Sequence, residues 1–303
     1  MLPSKCDAVA GARLGRAFLV SVSLAAMACA HRSGQQAVPS PCVQPTPDVT
    51  RLHNIAYGSS PQQVLDLFVP QRLAGEPLLL LVHGGGWSSG DKATYGVIAR
   101  HLSGCGIAVA NVNYPMGPQI RARDQAGSVL TALAWTQHRA AIYGYDGDRT
   151  SLMGHSAGAE IVALAVLDPE LGRVRSGVRI SGVITMAGLG YTPPQPDQIA
   201  TLPEYLNQFY HTAFGPRVET WSRYDVTRFV HAGPPAWLVI HGRDDVIAPA
   251  EDSAAFAAAL RQAGAVVEYV EQPDRDHDSI AQGMVFFGDD PVRSRVERFV
   301  MSR

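Results

Sequence analysis

The sequence predicts an α/β fold with a mostly parallel central sheet and helices on both faces, and three observations carry that expectation. Strand-like apolar runs alternate with helical segments of ten to twenty residues along most of the chain, the pattern that parallel strands joined by crossover helices produce. The run Leu78-Leu79-Leu80-Leu81-Val82 has no polar alternation, as a central strand covered on both faces requires. The 303 residues are 46% hydrophobic and only 17% charged, which supplies a large core and argues against disorder.

The elements follow in order. Arg51 to Pro70 reads as two extended segments around a turn at Tyr57-Gly58, the second being the β-branched and apolar stretch Val64 to Val69. Pro77 introduces the Leu78 to Val82 strand, which ends at a glycine run. Ala93 to Leu102 is helical in pattern and is stopped by Gly104 and Gly106. Ile107 to Tyr114 is the next strand. Ala122 to Tyr143 carries Val129, Leu130, Leu133, Ala134 and Trp135 at helical spacing. Arg149 to Met153 is a short strand followed by a helix from Ala157 to Leu167. Val178 to Met186 and Ala236 to Ile240 read as strands, Ser253 to Gln262 as an alanine-rich helix stopped by Gly264, and Ala265 to Val270 as the last strand. The segment at about 188–235 breaks the rhythm with five prolines between Pro193 and Pro216 and the aromatics Tyr191, Tyr205, Phe209, Tyr210, Phe214 and Trp221. A structureless loop of that length is improbable, so an insertion with short helices is expected, its aromatics either roofing a pocket or packing a core of their own.

The first thirty residues have the form of an export signal, with Lys5, Arg13 and Arg16 ahead of the apolar stretch Ala17 to Ala30, which is short for a bilayer span. Ala26-Met27-Ala28-Cys29 resembles a bacterial lipobox, in which Cys29 would be lipidated and would attach the chain to a membrane; cleavage near Ala28 or Ala30 without lipidation is the alternative. Both readings place the protein outside the cytoplasm, as a periplasmic, membrane-anchored or secreted bacterial protein. Residues 31–49 are proline-rich and read as a tether, leaving 50–303 as the folded domain. An exported compartment permits a disulfide between Cys42 and Cys105, a pairing the sequence leaves open. The net charge of −2 gives no case for a nucleic-acid partner; oligomeric state is not legible.

Two motifs carry chemistry. Gly154-His155-Ser156-Ala157-Gly158 has the G-x-S-x-G form of a nucleophile elbow, a strained turn between strand and helix that exposes a serine hydroxyl. His83-Gly84-Gly85-Gly86-Trp87 follows an apolar strand, and its backbone N–H groups are free of Cβ obstruction. With Ser156 as nucleophile, Gly85, Gly86 and Ala157 would donate to an oxyanion, each donor contributing about 3 kcal/mol in the transition state, and the helix N-terminus adds partial positive charge. Serine needs a base, and the base needs a carboxylate to fix its tautomer. In the chain order serine, acid, histidine, His277 is the histidine lying beyond the acidic cluster at 244–252. Asp244 and Asp245 both stand at the carboxyl end of a strand, where sites gather, and either could orient it. His155 is expected to point away from the nucleophile as a structural residue, Glu160 to be a polar residue on the helix face, and Asp276 and Asp278 to be solvated. Zinc-type cysteine spacing and a P-loop lysine are missing from the sequence, so no metal or organic cofactor is expected.

At these residues the chain resembles the α/β-hydrolase superfamily, and within it the hormone-sensitive-lipase-like and arylformamidase-like esterases, which include feruloyl-esterase-type enzymes. The resemblance runs from Tyr57-Gly58 and Gln63-Val64-Leu65-Asp66-Leu67 through His83 to Trp87, Gly90-Asp91-Lys92, Asn113-Tyr114 and Gly154 to Ala159, and on to His241-Gly242-x-x-Asp245 with Pro249 and Asp276-His277-Asp278-Ser279-Ile280. It selects Asp245 over Asp244. Tyr114-Pro115-Met116-Gly117-Pro118 departs from the family's Y-R-L-A-P, and Glu160 replaces the histidine usual in arylformamidase-like members. The resemblance implies a serine-dependent carboxylic ester hydrolase of the carboxylesterase type, working through Ser156, Asp245 and His277 and an acyl-enzyme on short-acyl or aryl esters of small molecules. A formamidase or amidase with the same triad is the alternative, and a non-catalytic hydrolase-fold binding module the alternative of another class.

Overall fold

In the computed structural model, residues 40–42, 45, 46, 48–71, 75–286 and 290–303 are described. The export segment 1–30 with Cys29, and much of the 31–49 tether, lie outside them. Eight strands form one sheet: β1 (Val49–Ala56), β2 (Val64–Pro70), β3 (Glu76–Val82), β4 (Ala108–Val112), β5 (Tyr145–His155), β6 (Gly182–Met186), β7 (Ala236–Gly242) and β8 (Val267–Gln272). Their order is β1-β2-β4-β3-β5-β6-β7-β8. The pairings from β4 through β8 are parallel, whereas β2 runs antiparallel to both β1 and β4.

The apolar run at Leu78–Val82 explains the layering. Side chains alternate across a strand, so Leu78, Leu80 and Val82 enter one core while Leu79 and Leu81 enter the other, and all are fully buried. The helices are α1 (Gly96–Gly104), α2 (Ala122–His138), α3 (Ala140–Tyr143), α4 (Ala157–Leu167), α5 (Gly172–Arg175), α6 (Pro196–Ile199), α7 (Glu204–Phe214), α8 (Ala250–Gln262), α9 (Ser279–Phe286) and α10 (Pro291–Met301). Residues of α2, α4 and α8 join the first core; those of α1, α9 and α10 join the second.

The expected elements stand within a few residues of their sequence-based limits, with the helix expected at Ala122 to Tyr143 divided into α2 and α3. Among the described residues three helices lacked a sequence expectation, the short α5 and the longer α9 and α10. In α10 the stripe Val292, Val296, Phe299 and Val300 packs on the sheet behind an Asp290 N-cap and Pro291, a start signal with helical spacing that the sequence does carry. The insertion holds α6, α7 and 3₁₀ turns at Val218–Tyr224 and Val226–Phe229. Its aromatics do both things expected of them: Phe214 packs against Trp221 and Tyr224 at ring distances of 5.7 and 5.0 Å, while Tyr205 and Phe209 face a cleft. Cys42 and Cys105 are disulfide-bonded, with Cα atoms 5.3 Å apart.

The strand order places the site. β3 is followed by β4 on one side and, after β4, by β5 on the other, so a crevice opens beyond the carboxyl ends of β3 and β5. His83 and Ser156 lie there.

Candidate active site

Ser156 sits between β5 and α4 with φ 56° and ψ −126°, a conformation that costs a non-glycine residue about 1–3 kcal/mol. The surroundings impose it. The Ser156 N–H donates to Met186 O at 2.9 Å, and Ser156 O accepts from Ala159 N at 2.9 Å. The helix then crosses the end of β3 so closely that a Cβ at Gly158 would stand 2.5 Å from His83 O, which is why glycine is needed there.

The His277 loop follows β8, and the Asp245 loop follows β7. His277 Nε2 lies 2.7 Å from Ser156 Oγ, and His277 Nδ1 lies 2.7 Å from Asp245 Oδ2. A carboxylate accepts only, so Nδ1 carries the proton and Nε2 presents its lone pair to the serine hydroxyl. Asp245 Oδ2 also accepts from His241 Nε2 at 3.0 Å, and Oδ1 from the Ile247 and Ala248 N–H groups at 2.8 and 2.9 Å. Burial alone would raise the Asp245 pKa, but the bonds from His241, His277 and Ala248 outweigh it and hold the carboxyl well below the usual range. Asp244 is exposed, as are Asp276 and Asp278. Asp276 accepts from Ser279 N at 2.8 Å and so starts the helix after His277.

Two histidines support this line in ways the sequence did not disclose. His241 Nδ1 contacts Ser253 Oγ at 2.7 Å, and its Nε2–H is shared between Ala248 O at 2.7 Å and Asp245 Oδ2 at 3.0 Å. His155 points away from Ser156, as expected, and its Nε2–H donates to the His277 carbonyl at 2.8 Å while Tyr95 Oη contacts its Nδ1 at 2.7 Å. Burial, reinforced by nearby His277, pushes the His155 pKa down to about 4, so the ring is neutral and braces the His277 backbone.

The glycine loop borders the same cleft. Gly85 and Gly86 have φ of 122° and 58°, and Trp87 follows at 60°. Residues singled out by family likeness form its scaffold. Lys92 Nζ contacts Asp66 Oδ1 at 3.0 Å, and Lys92 N donates to Asn113 Oδ1 at 2.6 Å. Asn113 Nδ2 donates to Asp91 at 2.7 Å, and Tyr57 Oη to Asn113 O at 2.6 Å. Tyr114 stacks on His83 at 4.4 Å and donates to its carbonyl at 2.8 Å. The cleft is a cavity of about 290 Å³ bounded by Gly84 to Gly86, Ser156 and His277, with Leu189, Tyr205, Phe209 and Ile247 as apolar walls. Ala157, the third expected donor, opens α4 directly after Ser156.

Glu160 corrects the sequence reading. It is not a polar residue of an exposed helix face: α4 is buried at every position, and Glu160 is 0% exposed. Among the described residues, the cluster of metal-type ligands is Cys42, Cys105 and Glu297, and its two sulfurs are bonded to each other.

Comparison with known proteins places the chain by family and fold. The family described as BD-FAE matches residues 65–260. A probable isoprenylcysteine alpha-carbonyl methylesterase of Oryza sativa is 27% identical over 267 residues, covering 82% of this chain and 62% of that protein. Esterase LipQ of Mycobacterium tuberculosis is 28% identical over 239 residues, covering 74% and 56%. The chain thus spans little more than half the length of these relatives. The crystal structure of an inhibited esterase B from Lactobacillus rhamnosis superposes with a TM-score of 0.70 at 21% identity, covering 86% of this chain and 89% of that one, a likeness of α/β-hydrolase fold.

Proposed function

The chain belongs to the BD-FAE family, and from that premise we propose that it is a serine-dependent carboxylic ester hydrolase acting on short-acyl or aryl esters. One observation carries the reading: an unbroken line of hydrogen bonds from Ser156 Oγ through His277 to Asp245, each of 2.7 Å, beside a glycine loop on the same cleft. Ester hydrolases among its relatives support it.

In this mechanism Ser156 Oγ attacks the acyl carbon as His277 Nε2 takes its proton. The carbonyl oxygen becomes an oxyanion held by the N–H groups of Gly85, Gly86 and Ala157. Asp245 keeps the Nδ1–H tautomer and stabilises the imidazolium. The C–O bond to the leaving alcohol breaks as His277 returns the proton to it, giving the acyl-enzyme. Water then repeats the sequence, with His277 as base, and releases the acid and free Ser156. The apolar walls and the cavity of about 290 Å³ favour a small acyl or aryl group over a long chain. Export through residues 1–30 is part of the same proposal, and the Cys42–Cys105 disulfide supports an oxidising compartment.

The test is initial rates on p-nitrophenyl esters from acetate to palmitate, with Ser156→Ala as control. Turnover that requires Ser156 and falls with chain length is expected. Rates rising with chain length would redirect the reading to lipids, and equal rates for the two proteins on every ester would overturn it.

A further inference from the structure

Glu160 is the buried carboxyl that the acyl-transfer scheme leaves without a role. It lies one turn into α4, and its Oε2 accepts the Trp87 indole N–H at 3.0 Å. Its Oε1 is buried with no hydrogen-bond partner among the described residues. Burial pushes its pKa well above the ordinary range, and the bond from Trp87 opposes only part of that. A leucine would fill the space without this desolvation cost, so the acceptor needs a physical reason to be there.

Trp87 gives that reason. It directly follows Gly84 to Gly86 and is 1% exposed. Its carbonyl accepts from Gln125 Nε2 of α2 at 2.7 Å, and its ring packs on Tyr210 and Phe214 of α7 at 5.9 and 5.6 Å. The three glycines have no side chains with which to fix themselves; Ser89 N and Oγ hold Gly85 O at 3.0 and 2.8 Å, and beyond that their N–H directions depend on how the two ends of the loop are held. His83 is held at one end by Tyr114. At the other end, the Glu160 contact ties Trp87 to the helix that begins with Ala157 just after Ser156.

We propose that Glu160 is a positioning residue: through its hydrogen bond to Trp87 it locks the Gly85 and Gly86 donors to the helix carrying Ala157, so that all three converge on one oxygen beside Ser156. The proposal rests on the ester-hydrolase reading. Glu160→Gln keeps an acceptor for the indole N–H, whereas Glu160→Leu and Trp87→Phe each remove the bond.

The experiment measures kcat and KM separately for these variants and the Glu160→Leu/Trp87→Phe double variant on p-nitrophenyl acetate. The Gln variant keeps kcat within about threefold. The Leu variant loses kcat by roughly 30- to 100-fold with KM little changed, as misaligned donors demand. The double variant is no slower than the slower single one, because both changes remove one interaction. A Leu variant as fast as the Gln variant, or losses that multiply, would overturn the proposal. An indole ¹⁵N–¹H spectrum tests it without turnover: the Trp87 signal, identified by its loss in Trp87→Phe, shifts in the Leu variant and stays close to its place in the Gln variant. An unmoved Trp87 signal in a folded Leu variant overturns the proposal whatever the esters do. Absence of Ser156-dependent turnover in the wild-type protein would overturn the hydrolase reading instead.

Discussion

Asp245 takes two imidazole N–H bonds on one oxygen and two backbone N–H bonds on the other, which leaves its carboxylate little to gain from a proton. Asp245→Asn replaces an acceptor with an amide that can donate to His277 Nδ1 and select the wrong tautomer, so kcat should fall by roughly 10³- to 10⁴-fold, as in other triads. The same contacts make a stability prediction. The folded-state pKa lies below its ordinary value of 3.8, so the unfolded chain binds the proton first as pH falls. The stabilisation from Asp245 is therefore complete above about pH 4 and is lost progressively below it. Melting curves of wild type and Asp245→Asn should converge as pH drops from 6 towards 3; a constant gap would contradict the assignment. Ser156 and the glycine loop are legible in the sequence because their spacing is local, and His277 because chain order leaves no rival. The partners of His155 are not legible, since Tyr95 and His277 come from segments distant in sequence, and those of His241 depend on how the Asp245 loop and the start of α8 fold back on its ring. Glu160 was open to a better reading. In the helix Ala157–Leu167 it is the one polar residue, and a helix apolar all round is buried all round, its lone carboxyl included.

At the scale of elements, α7 decides the shape of the cleft. Tyr205 and Phe209, four residues apart, line the cleft with Ser156, while Leu206, Tyr210 and Phe214 are buried within the insertion and against Trp87. Phe209 lies over the glycine loop so closely that a Cβ at Gly86 would stand 2.5 Å from its ring. Phe209→Ala should therefore open the cleft beside the oxyanion donors. Relative rates for hexanoate and octanoate esters should rise by roughly tenfold against acetate, the scale on which a pocket discriminates methylenes. An unchanged chain-length profile would mean that α7 does not bound the acyl side. The sequence announced an insertion through its prolines and aromatics, but which aromatic faces the cleft depends on how α7 rotates against Trp87, a tertiary contact that no local pattern carries. The parallel strands were legible because buried strands are continuous apolar runs. Beyond β8 the apolar stripes are short: α10 still announces itself by Asp290-Pro291 and its helical spacing, whereas α9 is recognisable chiefly by what it covers.

At the scale of the whole molecule, the sheet separates the candidate site from the disulfide. Ser156, Asp245 and His277 all follow the carboxyl ends of parallel strands β5, β7 and β8. Cys105 stands just before the amino end of β4, where its bridge to Cys42 ties the segment ahead of β1 to the end of α1, and Thr46 N donates to Gly104 O at 2.8 Å. The bridge therefore clamps the end of the sheet opposite Ser156, Asp245 and His277. It closes a loop with a sequence separation of 63, for which the chain-entropy account gives about 4 kcal/mol. Replacing both cysteines by serine should lower the melting temperature by about 10 °C and leave kcat at 25 °C within about twofold, and a reductant should do the same to the wild type. A fall in kcat at temperatures where the variant is fully folded would show that strain from the bridge reaches the site. The compartment enters here: protein made with residues 1–30 and exported should show Cys42 and Cys105 unreactive to thiol labels, and protein held in a reducing cytosol should show both reactive and melt at the temperature of the serine variant. Identical labelling of the two preparations would separate the disulfide from export and remove its support for an extracytoplasmic site of action.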